Sequence, residues 1–415
     1  MRKLLITLLV LASSVVMAQD TSTPEPEPSP FRRALSLIPD IPLVREATPL
    51  FSYADYHASL ASRGIERPAR LADFMADKDA YGPILPALPI AGPPNLLTYL
   101  AAGGEDYPAT VGFDFFEVSQ GIEVGMPPGA GQILLGDFSA DAVEAAYTAR
   151  DYVVEREGET GVLLCPEAGC DTGAEIDFRG ILRGNPFGGE LGRKEPLFVT
   201  DGVLLNSPHF PMLEAMAATY EGSAGSLADA PEMQAVADLL DDYPYVMSVM
   251  AVSPLSLGTV DLSFMDDEVR AQTLEGLTSA LESMPLAPYQ VAAFASTADE
   301  TNEYGLTLLV YANADAAREA AASIDQRLAA MESIRIPGRT YAELFDGVGT
   351  LEPSAVVTDE ATGLSVVIVR ASKPLPSNEP GENGMVMGSH LLYRRFYEMI
   401  SARDSNWLVW GSGEE

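Results

Sequence analysis

Two cysteines, three histidines and 60 acidic side chains are the groups in this 415-residue chain that could carry chemistry. Four residues separate the cysteines in Cys165-Pro-Glu-Ala-Gly-Cys170. Zinc sites show tighter paired spacing and further Cys or His ligands. A redox dithiol usually holds two intervening residues, so the pair reads as a structural disulfide. His57, His209 and His390 stand far apart, and no two share helical metal-ligand spacing. His209 and His390 each follow a Ser placed to cap a helix, which favours a helix-start position over catalysis. Asp299-Glu-Thr-Asn-Glu303 offers oxygen ligands of the kind calcium takes. It lacks the alternating ligands and central Gly of a calcium loop, and reads as a solvated hairpin turn.

Other catalytic signatures are missing. Gly184 to Lys194 is Gly-rich, but its spacing does not fit a phosphate-cradling loop. No Ser sits in a nucleophile elbow. Trp407 and Trp410 read as core packing rather than a stacking surface. The sequence therefore assigns no catalytic residue, no cofactor and no metal. Carboxylates need no motif to meet in a fold, so a carboxylate-dependent hydrolase stays open as an alternative.

The elements around these residues begin with an export signal. Arg2 and Lys3 precede an apolar run from Leu4 to Met17, and Val16-Met17-Ala18 supplies small residues for cleavage between Ala18 and Gln19. The apolar run is shorter than the roughly 20 residues of a spanning helix, and no later segment is apolar enough to span. The net charge is −35, and loss of Arg2 and Lys3 with residues 1–18, which hold no acid, makes it −37. Such an excess repels phosphate backbones and argues against nucleic acid as a partner. It suits a well-solvated protein outside the cytoplasm, periplasmic or extracellular, where a disulfide persists.

Residues 19–30 form a Pro-rich spacer, and residues 31–94 read as an N-terminal helical cap that ends in the Pro-broken stretch 81–94. Strands and helices then mix. Strands are expected at Val111–Phe116, Gln132–Phe138, Tyr152–Arg156, Val162–Cys165, Leu197–Thr200 and Val203–Leu205. Ser139 and Ser207 open helices. Strands at 245–252 and 258–264, a helix over 266–284 and strands at 291–295 and 306–311 follow. Asn313 then caps a helix, and a hairpin spans Ala355 to Val369. A short strand at 385–387, a helix from Ser389 and a last strand carrying Trp407 and Trp410 close the chain. The fold class is α+β: two similar lobes, 95–242 and 243–415, of mixed or antiparallel sheet with packed helices, plus the cap.

Three stretches carry a resemblance. Phe31 to Asp55, the strand–turn–strand Phe198 to Leu205 before Ser207, and Ser226-Leu-Ala-Asp-Ala-Pro231 resemble modules of exported bacterial proteins of unknown function. The resemblance implies export and a repeated α+β module, and it brings no activity or site residue. Internal order points the same way. Val111–Phe115 matches Val291–Ala295, Ser139-Ala-Asp-Ala matches Asn313-Ala-Asp-Ala, and Thr160-Gly161 matches Thr362-Gly363. Gly202 to Ser207 matches Gly384 to Ser389, and Ser226 to Asp229 matches Ser401 to Asp404. Residues 108–230 and 288–404 are thus expected to be two copies of one module. Duplication requires equal strand order and equivalent helices on the same sheet face, and it would make the groove between lobes the default binding site. The expected function is a non-catalytic binding or interaction protein for an unidentified extracytoplasmic ligand or protein. The hydrolase and a structural cell-envelope component are the alternatives.

Overall fold

The computed structural model describes residues 27–77, 82–90, 92, 107–157, 160–257, 262–263, 265–379 and 386–410. The signal peptide, the Ala18–Gln19 junction, most of the spacer and most of the strand expected at 258–264 lie outside the described residues. One sheet runs through the molecule. Its thirteen strands are β1 Phe51–Asp55, β2 Val118–Val124, β3 Gly131–Gly136, β4 Tyr152–Glu157, β5 Val162–Pro166, β6 Leu197–Thr200, β7 Val203–Asn206, β8 Tyr245–Val252, β9 Val291–Ala298, β10 Asn302–Tyr311, β11 Thr350–Leu351, β12 Ala355–Thr358 and β13 Ser365–Pro374. The order is β11-β13-β10-β9-β8-β1-β2-β3-β7-β6-β5-β4, with β12 also on β13. Every pairing is antiparallel. The α+β class holds, in its antiparallel form.

The described helices are α1 Pro30–Leu35, α2 Pro42–Arg45, α3 Tyr56–Ala61, α4 Leu71–Ala76, α5 Ile84–Ala87, α6 Tyr107–Val111, α7 Ala140–Thr148, α8 Phe210–Tyr220, α9 Pro231–Leu240, α10 Pro254–Leu257, α11 Asp267–Ser283, α12 Ala314–Ala330 and α13 Leu391–Ser401. Side chains alternate across a strand, and both faces of this sheet are covered. On one face Tyr53, Ile122, Ile133, Leu205, Val249, Ala293 and Leu308 form a continuous core under α1, α8 and α9. The other face carries two separate cores. Met250, Phe294, Leu309 and Val367 pack under α12 and α13, whereas Ala54, Val118, Leu134 and Leu204 pack under α3, α5 and α7.

Several expectations need correction. The segment 31–94 holds short helices, but it also contributes β1, which pairs with β2 on one side and β8 on the other. Val111–Phe116 is not a strand; α6 ends there and a 3-10 turn follows at Phe115–Glu117, capped by Asp114. The first strand of that region is β2, six residues of which pair with β1 or β3 around a bulge. Residues 386–387 are not a strand. Trp407 lies in a 3-10 turn, Asn406–Leu408, rather than a strand.

The strand order repeats, with β1-β2-β3-β7-β6 answered by β8-β9-β10-β13-β12. Because β1 and β8 pair antiparallel, the two sets run outward from the middle of the sheet, related by an approximate twofold axis normal to it. Helices α7 and α12 are equivalent. Ser139 Oγ accepts from Ala142 N at 3.4 Å and Asn313 Oδ1 from Ala316 N at 2.9 Å, and both helices cover the same face. Helices α8 and α13 are not equivalent, because α8 covers one face and α13 the other. The expected match of whole modules therefore fails at its second helix. The hairpin match also shifts, since the turn before β13, at Gly363 (φ 73°), answers the turn before β7 at Gly202 (φ 73°) rather than Thr160-Gly161. A site between the halves must stand on its own geometry and not on symmetry.

Candidate functional site

Strand β1 lies at the middle of the sheet, and its alternation gives it two opposed surroundings. Tyr53 and Asp55 point to the α9 face. Asp55 is buried and accepts from Ala58 N at 2.7 Å, Tyr53 Oη at 3.0 Å and Gln120 Nε2 at 3.0 Å. Burial pushes its carboxyl above the ordinary range, and the three donors pull it back. A small cavity of about 170 Å³ with Phe31, Tyr243 and Asp241 in its wall opens there. Asp55 also caps α3, so its donors explain its burial.

Ser52 points to the α13 face, where the two cores leave a gap. At the Ser52 end of the central strands this gap is a cleft of about 580 Å³. Ser52 on β1, Glu123 on β2, and Met250 and Val252 on β8 form its floor. Tyr397, Ile400 and Ser401 of α13, with Arg403 just after it, form one wall, and Met126 and Pro127 after β2 form another. The Thr48 and Ser256 hydroxyls, hydrogen-bonded to each other, close the end. Glu123 is half-buried, and desolvation raises its carboxyl above the ordinary value. Neither Glu123 nor Arg403 has an ion-pair or side-chain hydrogen-bond partner among the described residues. The residue in front of the cleft is held in place by backbone geometry: Arg403 adopts φ 52°, a left-handed conformation that turns the chain after α13.

The other end of the same gap is sealed. There α3 and the start of α13 meet around His390, which is fully buried. Its Nδ1 lies 2.9 Å from Ser296 Oγ, and its Nε2 lies 2.8 Å from Ser59 Oγ and 3.0 Å from the Ala87 carbonyl. Desolvation, opposed by the Ala87 carbonyl, drives the imidazole down to about 4. Beside it Arg63 of the α3 region donates to Asn378 Oδ1 at 2.9 Å, Ser377 O at 3.0 Å and Met387 O at 3.1 Å. These bonds hold the chain between β13 and α13 against α3. Glu303 faces its cross-strand neighbour Lys373 at 3.5 Å. Burial raises the Glu303 carboxyl, and Lys373 opposes that rise. A Ser–His contact of 2.8 Å could serve nucleophilic catalysis only with substrate access, and His390 and Ser59 have no solvent exposure. This cluster joins the α3 region to the second half of the sheet.

The residues singled out in the sequence do not converge. Cys165 and Cys170 form a disulfide with Cα atoms 4.9 Å apart, linking the end of β5 to the next 3-10 turn. His57 is exposed, and His209 stands at the N-terminus of α8 without capping it. Asp299 accepts from Thr301 N at 2.7 Å, Asn302 N at 2.8 Å and Tyr304 Oη at 2.6 Å, which hold its carboxylate well below the ordinary range. Glu303 points away from it into the sheet interior. Among the described residues no group of three or more His, Cys, Asp or Glu is placed to hold a metal. Trp407 is buried in the core under α12 and α13. Sequence reasoning missed Glu123 and Arg403. Glu123 lies in a strand that was not expected, and the position of Arg403 depends on where α13 packs.

No family model and no curated protein matches the sequence. Among solved structures the chain is similar to crystal form I of TP0453, with a TM-score of 0.34 and 7% identity over 89% of this chain and 98% of that one. Crystal form III of TP0453 gives a TM-score of 0.30 and 7% identity over 82% and 93%. A likeness at this level adds nothing to the assignment of fold or function.

Proposed function

We propose that the protein is an exported, non-catalytic binding protein that takes a small amphiphile in the central cleft. One observation carries this reading: Glu123 and Arg403, opposite charges without ion-pair or side-chain hydrogen-bond partners among the described residues, share a cavity whose floor and walls include Met126, Met250, Val252 and Ile400. Partly desolvated charges gain most from a ligand that completes them, and the apolar wall suits an apolar body. The ligand chemistry that fits is a zwitterion on an apolar frame, its cationic group toward Glu123 and its anionic group toward Arg403. Among the described residues that line the cleft Glu123 is the one carboxylate, whereas the alternative hydrolase calls for an acid–base pair. Export draws support from the disulfide. Among the described residues no helix is long and apolar enough to cross a membrane.

The probe is leucyl-leucine, a zwitterion with an apolar body, compared with its uncharged N-acetyl amide. The dipeptide should raise the melting temperature of the chain and the amide should not. Glu123→Gln and Arg403→Ala should each remove the shift while leaving the melting temperature of the free chain nearly unchanged. A shift that survives in the double variant, or none with any apolar zwitterion, would overturn the assignment.

A further inference from the structure

The central strands end in connections of opposite character. Phe51 at the start of β1 pairs with Val124 of β2 and Ala251 of β8, and Gln132 of β3 pairs with Asn206 of β7. At this end of five neighbouring strands the chain therefore passes through residues 47–50, 125–130, 207–209 and 253–257. None of these connections holds an Asp, Glu, Lys or Arg, although 20% of the chain is charged. The opposite ends of the same strands are flanked by Glu117, Asp137, Asp201, Asp241 and Asp242. Arg67 reaches Asp137 and Arg32 reaches Asp241 there. One end of these strands is acidic, and the other has no charge in its connections.

The uncharged end is also apolar. Leu255 is 77% exposed, Met126 47% and Leu43 41%, and Pro127 and Pro128 are exposed beside Met126. Leu43 lies on the β2–β3 turn, where a Cβ on Gly129 would meet its Cδ1 at 2.9 Å. Met126 walls the central cleft, and Leu255 precedes Ser256, which closes one end of it. The exposed apolar side chains thus stand at the rim of the cleft. Of the charges beside this rim, Arg45 is paired with Asp40 and Glu232. Glu46 is exposed at the end of α2, and Glu123 and Arg403 lie in the cleft itself.

We infer that this end of the molecule docks on the surface of a neutral lipid bilayer, with Leu43, Met126 and Leu255 set among the headgroups and the central cleft facing the lipid. A charge pressed towards hydrocarbon loses its hydration, so a surface that meets lipid is cleared of charge across several connections and not at one contact alone. Exposed apolar side chains gathered at one rim are the second requirement. The acids at the far end of the strands then face water. A net charge of −35 is repelled by anionic lipid, which leaves a neutral surface as the one that fits. Docking in this orientation gives an amphiphile a short path between bilayer and cleft. That passage rests on the ligand reading above, whereas the docking rests on residues other than Glu123 and Arg403.

Flotation with phosphatidylcholine vesicles tests the docking on the exported form, which begins at Gln19 and lacks the apolar run of the signal. The chain should float with neutral vesicles. Salt at about 1 M should leave the bound fraction unchanged, because screening to about 3 Å weakens ion pairs and not apolar contact. Leu43→Ser with Leu255→Ser should weaken the partition by about tenfold or more. Both residues are exposed and neither lines the cleft. The double variant should therefore keep the melting temperature of the parent and its response to leucyl-leucine. Glu123→Gln should do the reverse, keeping flotation and losing that response. An environment-sensitive fluorophore on Leu255→Cys should shift to the blue with vesicles, and one on Asp201→Cys should not. No flotation of the parent, equal flotation of the double variant, binding that requires anionic lipid or is lost at high salt, or equal shifts from both labels would overturn the inference. So would a parent that ignores vesicles and associates with itself through Leu43 and Leu255. Flotation of a parent that does not respond to leucyl-leucine would remove the ligand reading and leave the docking in place.

Discussion

The two halves of the sheet share a strand order and part company at the helix that follows the return strand. In the first half β7 passes through residues 207–209 into α8, which stays on the face it reaches first. In the second half residues 375–390 separate β13 from α13. That length lets the chain cross to the opposite face, where Arg63 and His390 fasten it. The strand floors reflect the difference. Gly131 on β3 lies under α8, and a Cβ there would meet the Met216 thioether at 2.7 Å. Gly305 on β10 lies under α13, and a Cβ there would meet Leu392 Cβ at 2.7 Å and its backbone carbon at 2.9 Å. Helix α13 therefore sits against bare backbone, and its C-terminal end becomes a wall of the central cleft. The candidate site exists because the second half departs from the pattern of the first.

Removing the packing of α13 should have the largest effect. Phe396 is buried against Phe294, Phe345 and Trp407, and Phe396→Ala should cost about 3–5 kcal/mol in denaturant unfolding. Met216→Ala on α8 should cost about 2–5 kcal/mol. Only the first should also weaken binding in the cleft. Equal loss of binding in both variants would break the link between the crossing of α13 and the site.

The His390 anchor makes the second half sensitive to acid. An unfolded His titrates near 6.5, and the folded imidazole titrates at about 4. Between those values the unfolded chain binds more protons, so stability falls as pH drops from about 6.5 to about 4 and the term is flat below. Its size is on the order of 3 kcal/mol. Buried Asp55, Glu303 and Glu195, all raised, act in the opposite direction. The contribution is therefore read as the difference between the parent and His390→Asn, Asn being a residue that tolerates the φ of 65° there. Parallel stability–pH curves for the two chains would refute a titrating anchor.

The smallest effect sharpens the comparison of the floors. Gly305→Ala should cost about 1–3 kcal/mol, because helix backbone cannot give way. Gly131→Ala should cost less than about 1 kcal/mol, because a methionine side chain can swing aside. Equal costs would mean that α13 approaches its strand no more closely than α8 does.

The strands that read clearly in the sequence are apolar runs with β-branched residues between turn residues, such as Leu197–Thr200, Val203–Leu205 and Leu364–Val369. Helices α7 and α12 were legible from their caps, Ser139 and Asn313, because a cap is a local hydrogen bond. The disulfide was legible because five residues of separation leave Cys165 and Cys170 little choice of partner. Strands β1 and β2 were not. Phe51-Ser-Tyr-Ala-Asp holds no β-branched residue and ends on an acid, and it gains its identity from β2 and β8 on either side. Val118–Val124 carries Gln120, Gly121 and Glu123, which weaken its alternation, and it is held by pairing on both edges. The match of Thr160-Gly161 with Thr362-Gly363 failed because short turns recur without sharing a place in the sheet.

The features legible along the chain are local: capped helices, Gly turns, short hairpins and the Cys165–Cys170 closure. Each follows from groups only a few residues apart, where propensity and hydrogen-bond chemistry suffice. Long-range packing sets the antiparallel sheet, the place of β1 between the halves, the crossing of α13 to the opposite face from α8, and the meeting of Glu123 and Arg403 in one cleft. Those outcomes depend on contacts between residues hundreds of positions apart. Their energies come from which surfaces pack together, and no spacing along the chain encodes that choice.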